Sequence, residues 1–372
     1  MDLNKQDQHR LQCLLEKIED YNRTCLGYPS AKDFDFSSLV DFLHFPLNNI
    51  GDPFTEGTYK VGTREFEREV LQFIAELVRA PESNWWGYIT NGSTEGNLYG
   101  LYLARELYPQ GIVYFSQDTH YSVSKNVHFL NMRHIMIRSQ DHGEIDYEDL
   151  KETLKIHRDV PAIIFANIGT TMKEAKDDIG KIRDIFDELA MLDCYVHSDA
   201  ALCGFIAPFV EPRAAFDFAD GADSIALSSH KFIGSPIPSG IVLARKENVD
   251  RIARSVAYIG TMDTTITGSR NGLTPLMLWY TIKTMGLAGI RRRVERSLDL
   301  AAYVERELKK EGIAAWRNPN AITVLFPKPS RDLRLRWQLA TSGELSHVIA
   351  IPGTEKETLD GFITDITAEQ GG

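Results

Sequence analysis

The sequence contains no long apolar run. Nowhere in its 372 residues do about 18 consecutive apolar residues occur, which is the minimum for a helix that spans a membrane. The N-terminal stretch, residues 1–23, is charged and lacks the apolar block of a secretory signal peptide. These two absences predict a cytoplasmic protein that does not enter a membrane.

An excess of positive charge is also missing. The chain has 41 Lys and Arg against 52 Asp and Glu, which gives a formal net charge of −11. Nucleic acids and anionic membrane surfaces attract basic patches. We therefore expect neither as a partner.

Cysteine pairs with metal-ligand or redox spacing are absent from the sequence. None of the four cysteines forms a CxxC pair, and none has a histidine at ligand spacing: Cys13, Cys25, Cys194 and Cys203. This pattern is typical of reduced thiols and predicts no metal site. The composition, 43% hydrophobic and 25% charged, is that of a globular protein with one large domain and a smaller appendage.

Short apolar segments alternate with amphipathic ones from about residue 87 onward. The first few apolar segments are nearly continuous, as expected of parallel strands covered on both faces. The βαβα order predicts an α/β sheet with helices on both sides. The predicted strands are 111–116, 134–138, 161–169, 194–202, 223–229 and 239–245, and the predicted helices between them include 94–107, 147–157 and 178–190.

The C-terminal part has a different pattern. A long helical region is followed by two short strands with a helix between them and by a terminal helix, which predicts a small α+β domain. The first of these segments is 273–311 and the two strands are 321–326 and 347–352. The predicted organisation is an N-terminal arm, a large domain and a small domain, over residues 1–50, 51–275 and 276–372.

The arm itself contains an amphipathic helix. Its apolar face consists of Leu11, Leu14, Leu15 and Ile18. An apolar face of this kind needs a partner, and we therefore expect a homodimer.

The segment YITNGSTEGN, residues 88–97, is the first candidate site. A strand-like run leads into Gly92, Ser93 and Thr94, and a helix begins within that loop. Free backbone N–H groups and two hydroxyls at a helix N-terminus predict a phosphate site. The alternative is that Ser93 or Thr94 is an ordinary N-cap. No GK[ST] follows, so this is not a Walker loop.

The second candidate is Asp199 in YVHSDAAL. It comes at the end of an apolar strand, where α/β sheets place their ligand crevice. A buried carboxylate needs a cation or several donors, and a protonated ring nitrogen would satisfy it. The alternative is that Asp199 caps the following helix.

The third candidate is Lys231 in SSHKFIGSPIPSG, residues 228–240. It follows a buried-looking strand and His230. Burial lowers the pKa of a lysine and makes its neutral amine available as a nucleophile toward an aldehyde. The alternative is a solvated loop end. A phosphate site, a strand-end carboxylate and a strand-end amine on one sheet are together the parts that hold pyridoxal phosphate.

Six segments between residues 88 and 272 carry a family resemblance: TNGSTEGN, DTHYSVSK, NIGTT, HSDAA, SSHKFIGSP and TITGSRNG. With them the sequence resembles the fold-type-I, group II pyridoxal-phosphate decarboxylases, which include the aromatic amino acid, glutamate and histidine decarboxylases. The resemblance implies an aspartate aminotransferase-like α/β fold with a mostly parallel seven-stranded sheet and a small C-terminal α+β domain. It also implies a homodimer with active sites at the subunit interface.

The resemblance also bears on the substrate. Most segments are similar to the short bacterial histidine decarboxylases, whereas NNIGDPFTEGTYKVGTREFE, residues 48–67, is more similar to the plant serine decarboxylases. The implied reaction is the release of CO2 and a primary amine from L-histidine, with L-serine or another amino acid as the alternative substrate. An aminotransferase on the same fold, or a cofactor-binding protein without turnover, would also carry these three sites.

Residue roles follow from the resemblance. Lys231 would bind the cofactor aldehyde, Asp199 would pair with the pyridine nitrogen, and His120 would stack on the ring. The other implied cofactor contacts are Ser93, Thr94, Ser228 and His230 at the phosphate, Gly268 and Ser269 from the neighbouring subunit, and Thr170 and Ala201 at the ring.

The proton that Cα receives after CO2 departs needs a donor. We expect it on residues 255–268, whose small and polar residues are typical of a mobile lid, and Tyr258 is the only tyrosine there. Residues that would contact the substrate are Tyr28, Asn49, Asp52 and Tyr59.

Overall fold

The computed structural model describes residues 3–256 and 260–370. The chain forms two compact units, one of Asp33–Val294 and the other of Met1–Lys32 together with Glu295–Gly372. The predicted boundaries after residues 50 and 275 differ from this division. Leu39, from the predicted arm, packs in one buried cluster with Leu276 and Met277 from the predicted small domain. All three therefore belong to the large unit.

The described residues form ten α-helices and twelve β-strands. The helices are α1 (Lys5–Thr24), α2 (Arg64–Leu77), α3 (Ser93–Leu107), α4 (Ser122–Phe129), α5 (Tyr147–Ile156), α6 (Ile179–Glu188), α7 (Lys246–Asp250), α8 (Leu273–Lys310, interrupted at Gly286), α9 (Arg331–Arg336) and α10 (Lys356–Gln370). The strands are β1 (Trp86–Thr90), β2 (Ile112–Ser116), β3 (Arg133–Ile137), β4 (Ala162–Asn167), β5 (Cys194–Asp199), β6 (Ser224–Ser228), β7 (Gly240–Ala244), β8 (Arg254–Val256), β9 (Thr261–Asp263), β10 (Thr323–Pro327), β11 (Ala340–Ser342) and β12 (Leu345–Ile349).

The large unit is built on a seven-stranded sheet in the order β1-β7-β6-β5-β4-β2-β3. β3, β2, β4, β5 and β6 pair in parallel, whereas β7 runs antiparallel to both of its neighbours. The expected mostly parallel seven-stranded sheet is thus confirmed. Gly240, the first residue of β7, pairs with Thr90 on one side and Ser228 on the other.

Burial along the strands agrees with the apolar pattern except at β3. Every residue of β1, β2, β4, β6 and β7 is buried. β3 is the last strand of the sheet, and most of its residues are exposed, with Met136 at 56%. The expectation that 134–138 is covered on both faces was wrong, because an apolar run does not reveal whether its strand ends the sheet.

The smaller unit contains an antiparallel sheet in the order β10-β12-β11. Its core includes Phe362 of α10, whose ring packs against Phe326 and Trp337. α1 has no buried residue. The apolar face predicted for it lies exposed, at 51–55% for Leu11, Leu14, Leu15 and Ile18.

Membrane insertion through a helix has no support in the fold. Among residues 3–256 and 260–370, no helix combines the length and apolar character that a crossing requires.

Candidate active site

The three candidate segments all lie where strands of the large sheet end. β5 ends at Asp199, β1 is followed by the turn that starts α3, and β6 is followed by a π-helix over His230–Gly234 that contains Lys231. β1, β5 and β6 point the same way, so their carboxyl ends share one edge of the sheet. Ligands of α/β sheets bind at this edge.

Lys231 and Asp199 interact in a desolvated environment. Burial lowers the pKa of Lys231, and the negative charge of Asp199 opposes this shift. Burial raises the pKa of Asp199, and the charge of Lys231 opposes that shift in turn. A lysine with a lowered pKa has more neutral, nucleophilic amine than a solvated one. The solvated loop end was therefore the wrong alternative for Lys231.

The π-helix presents Lys231 from a buried base. Phe232 and Ile233, the next two residues, are buried, and Gly234 ends the turn with φ of 93°. π-Helical turns are rare and are frequently found at functional sites. The local geometry thus anchors the backbone of Lys231 firmly.

The alternative in which Asp199 caps the following helix is wrong, because the short 3-10 helix Cys203–Phe205 has Leu202 as its N-cap and, within the described chain, no side-chain cap. Oδ1 of Asp199 accepts a hydrogen bond from the backbone N–H of Ala201 at 3.1 Å, which closes the turn after β5. Its Oδ2 accepts one from Nδ2 of Asn97 at 2.8 Å. Each carboxylate oxygen has two acceptor positions, so Asp199 can still accept from a further donor.

The start of α3 leaves its first backbone N–H groups without a side-chain cap from any described residue. Gly92 is the N-cap, with φ of 118°, and no side chain among the described residues caps this helix. The N-cap alternative for Ser93 and Thr94 was therefore wrong. Instead Oγ of Ser93 lies 2.6 Å from Oγ of Ser228. Uncapped N–H groups and a hydroxyl pair suit a phosphate.

Glycines on both sides leave room for this approach. A Cβ on Gly92 would meet no heavy atom within 4 Å, which means open space above the turn. A Cβ on Gly240 would lie 2.7 Å from both the carbonyl carbon of Gly92 and the carbonyl oxygen of Leu227. Only glycine at position 240 lets the α3 turn and the end of β6 come this close.

His120 follows β2 and is half-buried near the same groups. Burial lowers its pKa, the charge of Lys231 lowers it further, and Asp199 acts in the opposite direction. Its Nδ1 lies 2.8 Å from Oγ of Ser122, which orients the ring. His230 is held differently, since its Nδ1 lies 2.7 Å from the backbone carbonyl oxygen and 3.1 Å from the backbone nitrogen of Ser239.

The remaining predicted cofactor contacts differ in whether they already form hydrogen bonds within the protein. Oγ1 of Thr170 accepts the backbone N–H of Ala175 at 3.1 Å in the turn after β4. Ala201 is half-buried beside Asp199. Oγ of Ser269 accepts from Nδ2 of Asn48 at 3.1 Å, and a Cβ on Gly268 would meet open space. Tyr258 lies outside the described residues.

Three of the four predicted substrate contacts use a polar atom in a hydrogen bond to another part of the large unit. Oδ2 of Asp52 accepts hydrogen bonds from Nε1 of Trp86 and Oγ1 of Thr264, both at 2.9 Å. Nδ2 of Asn49 donates to Glu67 at 2.8 Å. The hydroxyl of Tyr59 donates to the carbonyl of Pro46 at 3.0 Å, and Tyr28 is an exposed residue of the smaller unit.

A buried ion pair near the site escaped the sequence argument. Arg270 and Glu67 pair with almost no exposure of either side chain. Glu67 also accepts the backbone N–H of Ile89 in β1 at 3.0 Å, and Arg270 donates to the carbonyl of Gly51 at 3.0 Å. The pair thus attaches the loop that carries Gly268 and Ser269 to β1.

A second group was also missed, and it lies behind Asp199. Nε2 of His197 lies 2.9 Å from Oδ1 of Asn97, and Nδ1 of His197 lies 2.7 Å from Oγ of Ser224. Burial lowers the pKa of His197 to about 3, so the ring is neutral. A histidine inside an apolar strand, two positions before Asp199 on the same face, was the available signal.

The assembled groups fit pyridoxal phosphate. Lys231 offers an amine to the aldehyde, and Asp199 retains acceptor capacity for a ring N–H. The uncapped start of α3 and the Ser93–Ser228 hydroxyl pair offer donors to the phosphate. All three requirements of this cofactor are met at one sheet edge.

Comparisons with known proteins agree with this fit. The profile described as pyridoxal-dependent decarboxylase conserved domain matches residues 41–314. The chain is 51% identical to a histidine decarboxylase of Mesorhizobium japonicum over 98% of this chain and 99% of that protein. It is 46% identical to a histidine decarboxylase of Morganella morganii over 99% and 98%.

Solved structures give the same answer for the fold. An L-methionine decarboxylase from Streptomyces sp. 590 matches with a TM-score of 0.89 and 25% identity, covering 99% of this chain and 95% of that one. A glutamate decarboxylase of Lactobacillus brevis, 19% identical, matches in fold with a TM-score of 0.80, covering 100% of this chain and 93% of that one. The chain belongs to the pyridoxal-dependent decarboxylases, and its cofactor is pyridoxal phosphate.

Proposed function

We propose that the protein converts L-histidine to histamine and CO2. The observation that carries this proposal is the 51% identity to a histidine decarboxylase, which extends over 98% of the chain. An identity of this size that includes both compact units supports a common substrate as well as a common reaction. We also propose that the protein is cytoplasmic.

We propose the following roles at the cofactor. Lys231, whose lowered pKa supports a neutral amine, binds the aldehyde covalently. When bound, the cofactor supplies an electron-accepting ring that stabilises the negative charge left on Cα as CO2 departs. Asp199 accepts the N–H of the ring nitrogen, because a nearby anion favours the protonated form. His120 lies against the ring face and holds it in place.

The proposed phosphate contacts use the start of α3. Ser93 and Thr94 donate together with the free N–H groups of the first turn, and Ser228 and His230 approach from the lysine segment. The 2.6 Å contact between the hydroxyls of Ser93 and Ser228 supports a shared ligand. Thr170 and Ala201 are proposed ring contacts.

The neighbouring subunit is proposed to contribute Gly268 and Ser269. We infer a homodimer because α1 exposes a face of four large apolar residues that another surface should cover. A sedimentation measurement checks this, and a monomer with full activity would contradict it. The proton donor Tyr258 and the substrate contacts Tyr28, Asn49, Asp52 and Tyr59 stay predictions.

An amino-acid panel tests the substrate. The purified protein, loaded with pyridoxal phosphate, is supplied separately with histidine, serine, methionine, aspartate and the aromatic amino acids. Histidine should give histamine and CO2 in equal amounts at the highest kcat/KM. A different amine as the main product would refute histidine, and a keto acid in place of CO2 would refute decarboxylation.

A pair of lysine variants tests the attachment. Lys231→Ala should abolish turnover and covalent retention of the cofactor after borohydride reduction. Lys246→Ala is the matched control, since Lys246 pairs with Asp250 on the surface of α7. A reduced cofactor found on any lysine peptide other than that of Lys231 would overturn the assignment.

A further inference from the structure

The hydrogen bonds behind Asp199 have only one consistent direction. Asn97 must turn its Nδ2 toward the carboxylate of Asp199, because an ionised carboxylate can only accept. Its Oδ1 then faces Nε2 of His197 at 2.9 Å, and this nitrogen must carry the proton and donate. Nδ1 of His197 is left as an acceptor.

Ser224 and Tyr195, on the other side of His197, also donate their hydrogen bonds in the direction of Asp199. Oγ of Ser224 lies 2.7 Å from Nδ1 of His197 and donates to it. The hydroxyl of Tyr195 donates to Oγ of Ser224 at 2.8 Å. Every hydrogen bond from Tyr195 onward therefore points toward Asp199, and the tautomer of His197 is fixed by its neighbours.

The surroundings of His197 are shaped to its ring. Gly100 lies on α3, and a Cβ there would be 2.2 Å from Nδ1 of His197 and 2.9 Å from Oγ of Ser224. Glycine in a helix interior is unfavourable by about 1 kcal/mol relative to alanine. The helix thus gives up stability at the position where the imidazole needs space.

A buried histidine with a purely structural role would also have hydrogen-bond partners for both nitrogens, but those bonds would not need to point in one direction, toward Asp199. If the amide of Asn97 were reversed, its Oδ1 would face the Asp199 carboxylate, acceptor against acceptor. The reversal would also turn Nδ2 of Asn97 toward the Nε2–H of His197, donor against donor, so it would cost both hydrogen bonds unless the tautomer of His197 changed with it. The side chain nearest the cofactor-binding carboxylate is thereby held in its donating orientation.

We propose that His197 is a positioning residue that acts through Asn97, which fixes the Asp199 carboxylate in its orientation toward the ring nitrogen of the bound cofactor. This role rests on the proposed function in one respect, that Asp199 faces the ring of bound pyridoxal phosphate. The role does not depend on which amino acid is the substrate. Asn97 adds a side-chain hydrogen bond to Asp199 that the backbone N–H of Ala201 alone does not supply.

Cofactor binding provides a test that does not use turnover. The apoprotein is titrated with pyridoxal phosphate labelled with 15N at the ring nitrogen, and both the dissociation constant and the 15N resonance are recorded. His197→Leu leaves the buried Oδ1 of Asn97 without its donor and should weaken binding about tenfold, since Asn97 is then no longer held with its Nδ2 toward Asp199. The 15N resonance should move toward that of the unprotonated ring.

Conservative variants separate positioning from packing. His197→Gln keeps an N–H at the far end of the side chain and should retain the wild-type resonance. Tyr195→Phe, equally buried, leaves Ser224 able to donate to His197 and should also leave the resonance unchanged. If the Gln variant shifts the resonance as far as the Leu variant, the proposal is overturned.

A coupling measurement covers the case in which His197→Leu fails to fold. Asn97→Ala suits the α3 helix and should by itself weaken cofactor binding and shift the resonance. A second change that removes the donor, His197→Met, should shift the resonance in the wild-type protein and have no further effect on it in the Asn97→Ala background. Wild-type binding and an unshifted resonance in Asn97→Ala would refute the proposal whatever the other variants do.

Discussion

Gly100→Ala should destabilise the protein, against the rule for helices. Gly100 is a buried interior residue of α3, and alanine there would be favoured by about 1 kcal/mol on helix propensity alone. The new Cβ would lie 2.2 Å and 2.5 Å from two atoms of the His197 ring. Neither distance is possible without displacing the ring.

The size of the loss follows from two effects. Overpacking of a buried position costs about 1–3 kcal/mol. Displacing the ring also breaks the hydrogen bond between Ser224 and His197, and a buried polar group left unsatisfied costs about 1–3 kcal/mol. After the gain in helix propensity, the free energy of unfolding should fall by about 1–5 kcal/mol.

Urea unfolding of the apoprotein measures this change through the midpoint at constant m. Gly361→Ala in α10 is the matched control, because its Cβ would come no closer than 3.3 Å to the Trp337 ring. The control should lie within about 1 kcal/mol of the wild type. A Gly100→Ala protein as stable as wild type, or more stable, would show that α3 and His197 are not packed as described.

Two further changes test buried charge. Glu67→Gln should lower the free energy of unfolding by about 3–5 kcal/mol, since it leaves the buried Arg270 without a counter-charge. The control, Glu69→Gln on the exposed face of the same helix, should lower it by less than about 1 kcal/mol. Equal losses for the two variants in thermal or urea unfolding would contradict this. His197, with a pKa of about 3 in the folded state against 6.5 as the ordinary value, stays neutral on folding, so the stability it supports is complete above pH 6.5 and falls as the pH drops toward 3. Relative to His197→Gln, the free energy of unfolding of the wild type should fall by about 1.4 kcal/mol per pH unit below pH 6. Urea unfolding of both proteins at pH 7, 6 and 5 measures this, and a difference between them that does not change with pH would exclude it.

The sheet could be predicted because its strands are apolar over nearly their whole length. Segments such as 161–169 and 239–245 contain β4 and β7 with an excess of one or two residues at each end. The segment 134–138 was also predicted as a strand, but β3 begins with Arg133 and His134 and is mostly exposed. The residues of a strand indicate that it is a strand, whereas its position in the sheet depends on pairing with other strands that are distant in sequence.

The site could be predicted only in part for a similar reason. Asp199 and Lys231 stand at strand ends, and a local pattern shows that. The contact of Asn97 with Asp199 joins residues 102 positions apart, and no local pattern reveals it. The same holds for Asn49 and Asp52, which bond to Glu67 and Trp86 at distances of 18 and 34 positions along the chain.

The glycine at the start of β7 limits how this protein can be redesigned. The α3 turn and the end of β6 meet across Gly240 with no room for even a methyl group. Enlarging the proposed phosphate site for a bulkier ester therefore cannot begin from Gly240, since a side chain there would push the α3 turn away from the end of β6.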